Sequence, residues 1–292
     1  MKKIFILLVL LSSLAFASVR VETTYTTFGA IAKKIGGDLV HVDVLASAKY
    51  DPHFITPKPS LLSKLHRADL LIINGGGLEV GWLPPLIRSA NNPKIQNGAK
   101  GFLDISHFIP MTDVPTSVSR AFGDVHAEGN PHYTTDPYMV PLIAKAIANK
   151  LSQLDSDHRE IYRKNLEQFV TKWSEYLQGL DAKMAQCSEK KVVQYHELFN
   201  YFLKRYNIRS YANVEPLPGI APSSKHTIEL IQTIKKNNIK LILQDVYHER
   251  KTALFIAEKT DAKVVVLPHD VGADGSKTLF EFYNNIANAL CR

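Results

Sequence analysis

Residues 239–270 read IKLILQDVYHERKTALFIAEKTDAKVVVLPHD. Two apolar, β-branched runs, IKLILQD (239–245) and AKVVVLP (262–268), flank a helical segment, HERKTALFIAEKT. Parallel strands need a crossover of a dozen or more residues, usually a helix, so this order predicts neighbouring parallel strands covered by a helix. The second strand runs straight into Pro268-His269-Asp270.

The same unit recurs along the chain. VRVETTY (19–25), LVHVDVLA (39–46), DLLIIN (69–74) and KGFLDI (100–105) are candidate strands before a long helical middle. KKVVQYH (190–196), IRSYANV (208–214) and the two runs above follow it. Helical segments such as PSLLSKLHRA and SSKHTIELIQTIKKNN lie between strands. The pattern predicts an α/β protein of two similar lobes, each a four-stranded, mostly parallel sheet flanked by helices.

The middle, residues 136–187, has no strand signal. Asp136-Pro137 reads as a helix start, with Asp as N-cap and Pro in the first turn. Beyond it, Ile161, Leu166, Phe169, Val170, Trp173, Tyr176, Leu177 and Leu180 recur at helical spacing. This predicts a long, rigid helix joining the lobes, since a flexible linker would be rich in Gly, Ser or Pro. Its aromatics read as core. The expected organisation is a leader over 1–17, an N-terminal lobe over 18–135, a helical linker over 136–187 and a C-terminal lobe over 188–292.

The N-terminus, MKKIFILLVLLSSLAFASVR, has the parts of a secretory leader: Lys2 and Lys3, a short apolar core, and Ala15-Phe16-Ala17 as an A-x-A cleavage site. A mature chain starting at Ser18 is expected in the periplasm. No cysteine follows the cleavage site, so no lipid anchor is expected. The formal charge is +7, and the basic residues are scattered without interleaved aromatics. That excludes a nucleic-acid site and describes a solvated surface. Cys187 and Cys291 sit near the ends of C-terminal elements. An oxidising compartment permits a disulfide between them, but sequence alone cannot supply the required Cα separation.

Three histidines follow prolines: His53 in DPHFITPKPS, His132 in GNPHYTTDP and His269 in VVVLPHDVGA. With 15 prolines and 11 histidines in 292 residues, roughly 0.6 such pairs are expected from composition. Ligands of open α/β sheets bind at the carboxyl ends of strands. His53, His196 and His269 follow strands there, and His132 lies in the passage between the lobes. Four imidazoles, two from each half, can therefore face one cleft, and zinc favours such a donor set. Asp51 and Asn130, before their prolines, favour turn initiation and a rigid histidine loop. His126 is a candidate secondary contact. His41, His66, His107, His158, His226 and His248 read as ordinary surface, packing or capping residues. His196 begins HELFN, but Asn200 stands where a zincin motif needs its second histidine.

The stretch GGDLVHVDVLASAKYDPHFITPKPSLLSKLHRADLLIINGGGLEVGWLPPL resembles the first lobe of the metal-binding receptors of zinc and manganese ABC importers, the cluster A-I solute-binding proteins. GNPHYTTDP, YHELFNYFLKRYNI and EPLPGIAPSSKHTIELI resemble that family's later motifs, so the likeness covers nearly all of the mature chain. It implies that His53, His132 and His196 are metal ligands. The family's fourth ligand is generally an aspartate in the last second-lobe loop. Here His269 occupies that position, with Asp270 beside it, and the choice between them stays open, with His269 favoured. Only His107, His126 and His132 occupy the region where many zinc receptors carry a long His-rich loop, too few for a metal-gathering loop. The resemblance implies a monomeric, non-enzymatic receptor that captures zinc as transported cargo and delivers it to an inner-membrane ABC permease. A manganese or iron receptor is the alternative, and a zinc hydrolase with Glu197 as base a more distant one. Glu215 is a candidate partner for a ligand's free ring nitrogen. Affinity is expected to fall below about pH 6.5, where imidazoles protonate.

Overall fold

The computed structural model describes residues 18–117, 126–187 and 190–291. The expected leader, residues 1–17, lies outside them. Two four-stranded sheets carry the architecture, and every strand pair in both is parallel. The first contains β1 (Val19–Thr23), β2 (Val40–Val44), β3 (Leu70–Ile73) and β4 (Phe102–Asp104) in the order β2-β1-β3-β4. The second contains β5 (Lys191–Gln194), β6 (Arg209–Asn213), β7 (Leu241–Gln244) and β8 (Lys263–Val266) in the order β6-β5-β7-β8. The two orders are equivalent. In each sheet the direction of winding reverses beside the first strand, the position where such folds place their ligands.

Three apolar layers hold the sheets. Leu61, Leu65, Trp82, Leu83 and Leu86 from α2 (Pro59–Arg67) and the α3 (Leu83–Ser89) region cover the outer face of the first sheet. Leu230, Ile234, Ala253 and Ile256 from α7 (Ser224–Asn237) and α8 (Lys251–Glu258) cover the outer face of the second. Between the sheets runs one continuous core. It takes Phe28 and Ile31 from α1 (Thr26–Gly36), Ile143 and Ile147 from α4 (Val140–Leu154), and Trp173 from α5 (Arg159–Ala185). Phe202 from α6 (Asn200–Arg205) and Phe282 from α9 (Leu279–Leu290) complete it. The two lobes thus share a hydrophobic centre.

The helical middle departs from expectation in two ways. The first helix starts at Val140, not at Pro137. Asp136 does not cap it: its carboxylate accepts from Tyr138 N at 2.9 Å and pairs with Arg205 at 3.0 Å. The long helix α5 is as predicted, but Ile161 is solvent-exposed and Tyr162 takes its place in the buried stripe Tyr162, Phe169, Trp173, Leu177, Leu180, Met184. Cys187 and Cys291 form a disulfide that ties the end of α5 to the end of α9.

Candidate metal centre

The loops at the carboxyl ends of both sheets meet at the seam between the lobes. His53 and His132 reach it through the same local device. The Asp51 carboxylate accepts from His53 N at 3.0 Å, and the Asn130 side chain accepts from His132 N at 2.9 Å. Each Asx side chain closes a turn over a proline whose φ is already fixed, so the histidine leaves on a stiff loop. Further bonds pin both turns. Trp82 Nε1 donates to Pro52 O at 3.0 Å, and Asn74 Nδ2 donates to Pro131 O at 3.0 Å. Asn130 Nδ2 donates to Glu197 O of the second lobe at 2.7 Å. His196 follows β5, where the chain turns into a short 3-10 segment, Glu197–Phe199.

The structure brings His53, His132 and His196 together. One ring nitrogen from each lies within 4.8 Å of the others. Nε2 of His132 is 3.1 Å from Nε2 of His196. The rings meet nearly edge to face, at 74° for His53 and His132 and 81° for His132 and His196. Two of them have carboxylate partners on the far nitrogen. His53 Nδ1 lies 2.7 Å from Asp51 Oδ1, and His196 Nδ1 lies 2.8 Å from Glu215 Oε2. A carboxylate at Nδ1 holds the proton there and leaves the Nε2 lone pair facing the seam. The Asp51 partnership was not read from sequence, where that residue served only the turn. Its signal is the two-residue spacing to His53, which lets one carboxylate bond both the backbone and the ring.

His269 is buried at the seam but does not join the trio. Its ring stands edge-on to Tyr247 at 4.9 Å, and its Nδ1 has no hydrogen-bond partner. Asp270, the other candidate, is committed elsewhere. Its carboxylate accepts from Thr26 N at 2.7 Å, Thr27 N at 2.8 Å, Thr27 Oγ1 at 2.6 Å and Val271 N at 2.8 Å. It therefore caps α1 of the first lobe, a helix without a capping side chain of its own. His126 stacks on His53 with its Nε2 3.3 Å from His53 Nε2. His248, read as an ordinary residue, bonds Asp245 at 2.7 Å through Nδ1 and faces Glu215 at 3.6 Å through Nε2. His66 and His226 bond backbone carbonyls, of Ala90 and Asn213.

Burial dominates the electrostatics. It pushes His132 well below its usual range, with His196, His53, His126 and His269 adding to the effect. His126 is pushed down to about 3 by burial, then by His53 and His196. His269 is pushed down to about 4 by burial, against the opposing pull of Asp245 and Asp51. Burial would raise Asp51, but its bonds with His53 outweigh that and hold it low. The depression favours the neutral imidazole in His132, His126 and His269, the form that binds a divalent metal.

Two parallel α/β lobes sharing a core, with imidazoles from both halves at one seam, have the plan of a bilobal binding protein. Residues 21–291 match the family described as "ZnuA: Zinc-uptake complex component A periplasmic", and the chain belongs to that family. It is 25% identical over 281 residues to the zinc-binding lipoprotein AdcA of Streptococcus pneumoniae, a match covering 91% of this chain and 55% of AdcA. It is 30% identical over 208 residues to the metal ABC transporter substrate-binding lipoprotein FimA of Streptococcus parasanguinis, covering 68% of this chain and 63% of FimA. These matches thus cover 55% and 63% of the two curated relatives' own lengths. A crystal structure of ZnuA superimposes with a TM-score of 0.76 at 27% identity, covering 94% of this chain and 99% of that one. FpvC of Pseudomonas aeruginosa in complex with Mn2+ superimposes at 0.75 with 21% identity, covering 93% and 95%, a likeness of fold.

Proposed function

We propose that this protein is a periplasmic receptor that captures zinc in the seam between its lobes and delivers it to an inner-membrane ABC permease. The observation that carries the reading is the trio His53, His132 and His196, drawn from both halves of the chain with one ring nitrogen of each converging and with His132 and His196 buried. Zinc enters the seam and takes the lone pairs of the three imidazoles, binding the two halves to one ion. Asp51 and Glu215 keep His53 and His196 in the tautomer that can receive it. The all-nitrogen trio favours zinc, because manganese leans toward oxygen donors. The zinc-named relative AdcA and the ZnuA structure support the same cargo. A relative named as a manganese substrate-binding lipoprotein, PsaA of Streptococcus pneumoniae, makes manganese the second reading. A receptor needs no general base. Glu197, the residue that hydrolysis would call on, accepts from Asn213 Nδ2 at 3.0 Å.

Native mass spectrometry of the purified protein with zinc tests the reading. One retained zinc is expected in the parent, with a large loss of retention in His132→Ala. Retention equal to the parent in that variant overturns it. Competition between zinc and manganese for the metal-free protein decides the cargo.

A further inference from the structure

The geometry points to His126 as the fourth metal donor, in place of the last-loop residues His269 and Asp270. The assignment rests on the proposed metal seam and deepens it. In a tetrahedral zinc site with Zn–N bonds of 2.0–2.1 Å, neighbouring donor nitrogens stand about 3.3 Å apart. Two separations at the seam have that length. His132 Nε2 to His196 Nε2 is 3.1 Å, and His53 Nε2 to His126 Nε2 is 3.3 Å. These pairs share no atom, so they can form two opposite edges of one tetrahedron. The trio's nitrogens lie within 4.8 Å of one another, and His126, outside that group, must swing in about its contact with His53 to reach the common centre.

The hydrogen bonding agrees. With Nδ1–H of His53 and His196 donating to Asp51 and Glu215, their Nε2 atoms are acceptors. His126 and His132 must then be the donors in the two N–H···N contacts. When zinc takes all four Nε2 lone pairs, each of these two rings moves its proton from Nε2 to Nδ1. The competing residues are worse placed. Asp270 already accepts four hydrogen bonds at the start of α1, and releasing it would uncap that helix. His269 stands edge-on to Tyr247, whereas His126 stacks on His53, a member of the trio. His126, in turn, has room because residue 77 is glycine: a Cβ there would come within 3.2 Å of His126 Nδ1.

Three donors would then come from the first half of the chain and one from the second. All four would be imidazole, which favours zinc over manganese. Zinc K-edge X-ray absorption and the visible spectrum of the cobalt-substituted protein test this on the full chain. The parent should show four nitrogen donors and the intense bands of tetrahedral cobalt. His126→Ala and His126→Gln should each show three nitrogens and weaker cobalt bands, and bind zinc at least tenfold more weakly. His269→Ala should resemble the parent. His126→Asp should recover four-coordination and raise manganese affinity relative to zinc. Four nitrogens persisting in both His126 variants, or a nitrogen lost in His269→Ala, overturns the assignment. His53→Ala separates the two levels. If it binds zinc like the parent, the metal seam itself is wrong; if it loses zinc while the His126 variants do not, only the fourth donor is.

Discussion

At the scale of single residues, the seam depends on imidazoles kept neutral and aimed. His132 is buried with its proton affinity depressed chiefly by desolvation. In the metal-free protein the unfolded chain therefore takes up a proton near pH 6.5 while the folded chain does not. Stability linked to this group is present above pH 6.5 and lost as pH falls below it. Urea denaturation of the metal-free protein between pH 7.5 and 5 should show a shallower acid loss in His132→Gln than in the parent; equal slopes would remove His132 as the cause. Aim is a separate property. Glu215 holds Nδ1 of His196 at 2.8 Å, and losing such a partner typically costs 10–100-fold in metal affinity. Glu215→Ala should lose that much zinc affinity in a chelator competition while its melting curve keeps a single transition. Much of this was legible beforehand. The Asx-Pro-His turns announced two stiff histidine loops, and His196 ended a strand. The surroundings of His269 were not legible, because adjacency in sequence says nothing of which way a ring points. His269 follows Leu267-Pro268, with no Asx residue to build the same turn.

At the scale of elements, the strands were readable because parallel strands buried on both faces are written as unbroken apolar runs. All eight appear where those runs predict them. The helical middle was harder. Propensity placed a start at Pro137, but Asp136 is drawn to Arg205 of α6, and the chain makes a further turn before Val140. A salt bridge 69 residues away cannot be seen in a local window. Along α5 the buried residues and half-buried Leu166 recur three and four apart, and Ile161 falls just off that line. Trp173 is the anchor of this helix. It donates to Pro137 O at 2.8 Å and packs against Phe169, Phe280 and Tyr283. Trp173→Ala should cost about 3–5 kcal/mol in denaturant unfolding. A loss under 1 kcal/mol would mean that α5 is a spacer and not part of the core.

At the scale of the whole molecule, the disulfide and the central core act on different states. The Cys187–Cys291 bond closes 104 residues, most of the second lobe. By restricting the unfolded chain, such a link contributes roughly 2–5 kcal/mol. Cys187→Ser with Cys291→Ser should lower stability by that amount and leave zinc affinity within twofold, because neither cysteine reaches the seam. A large change in affinity would show that the tie shapes the cleft. Asp270 links the halves differently: it finishes a helix of the first lobe from a loop of the second, and its partner Thr26 lies 244 residues earlier in the chain. A chain that emerges N-terminus first, from a ribosome or across a membrane, presents this opening helix well before its cap. The nascent N-terminal half therefore emerges with its first helix unfinished, and the protein completes folding only as its last residues arrive.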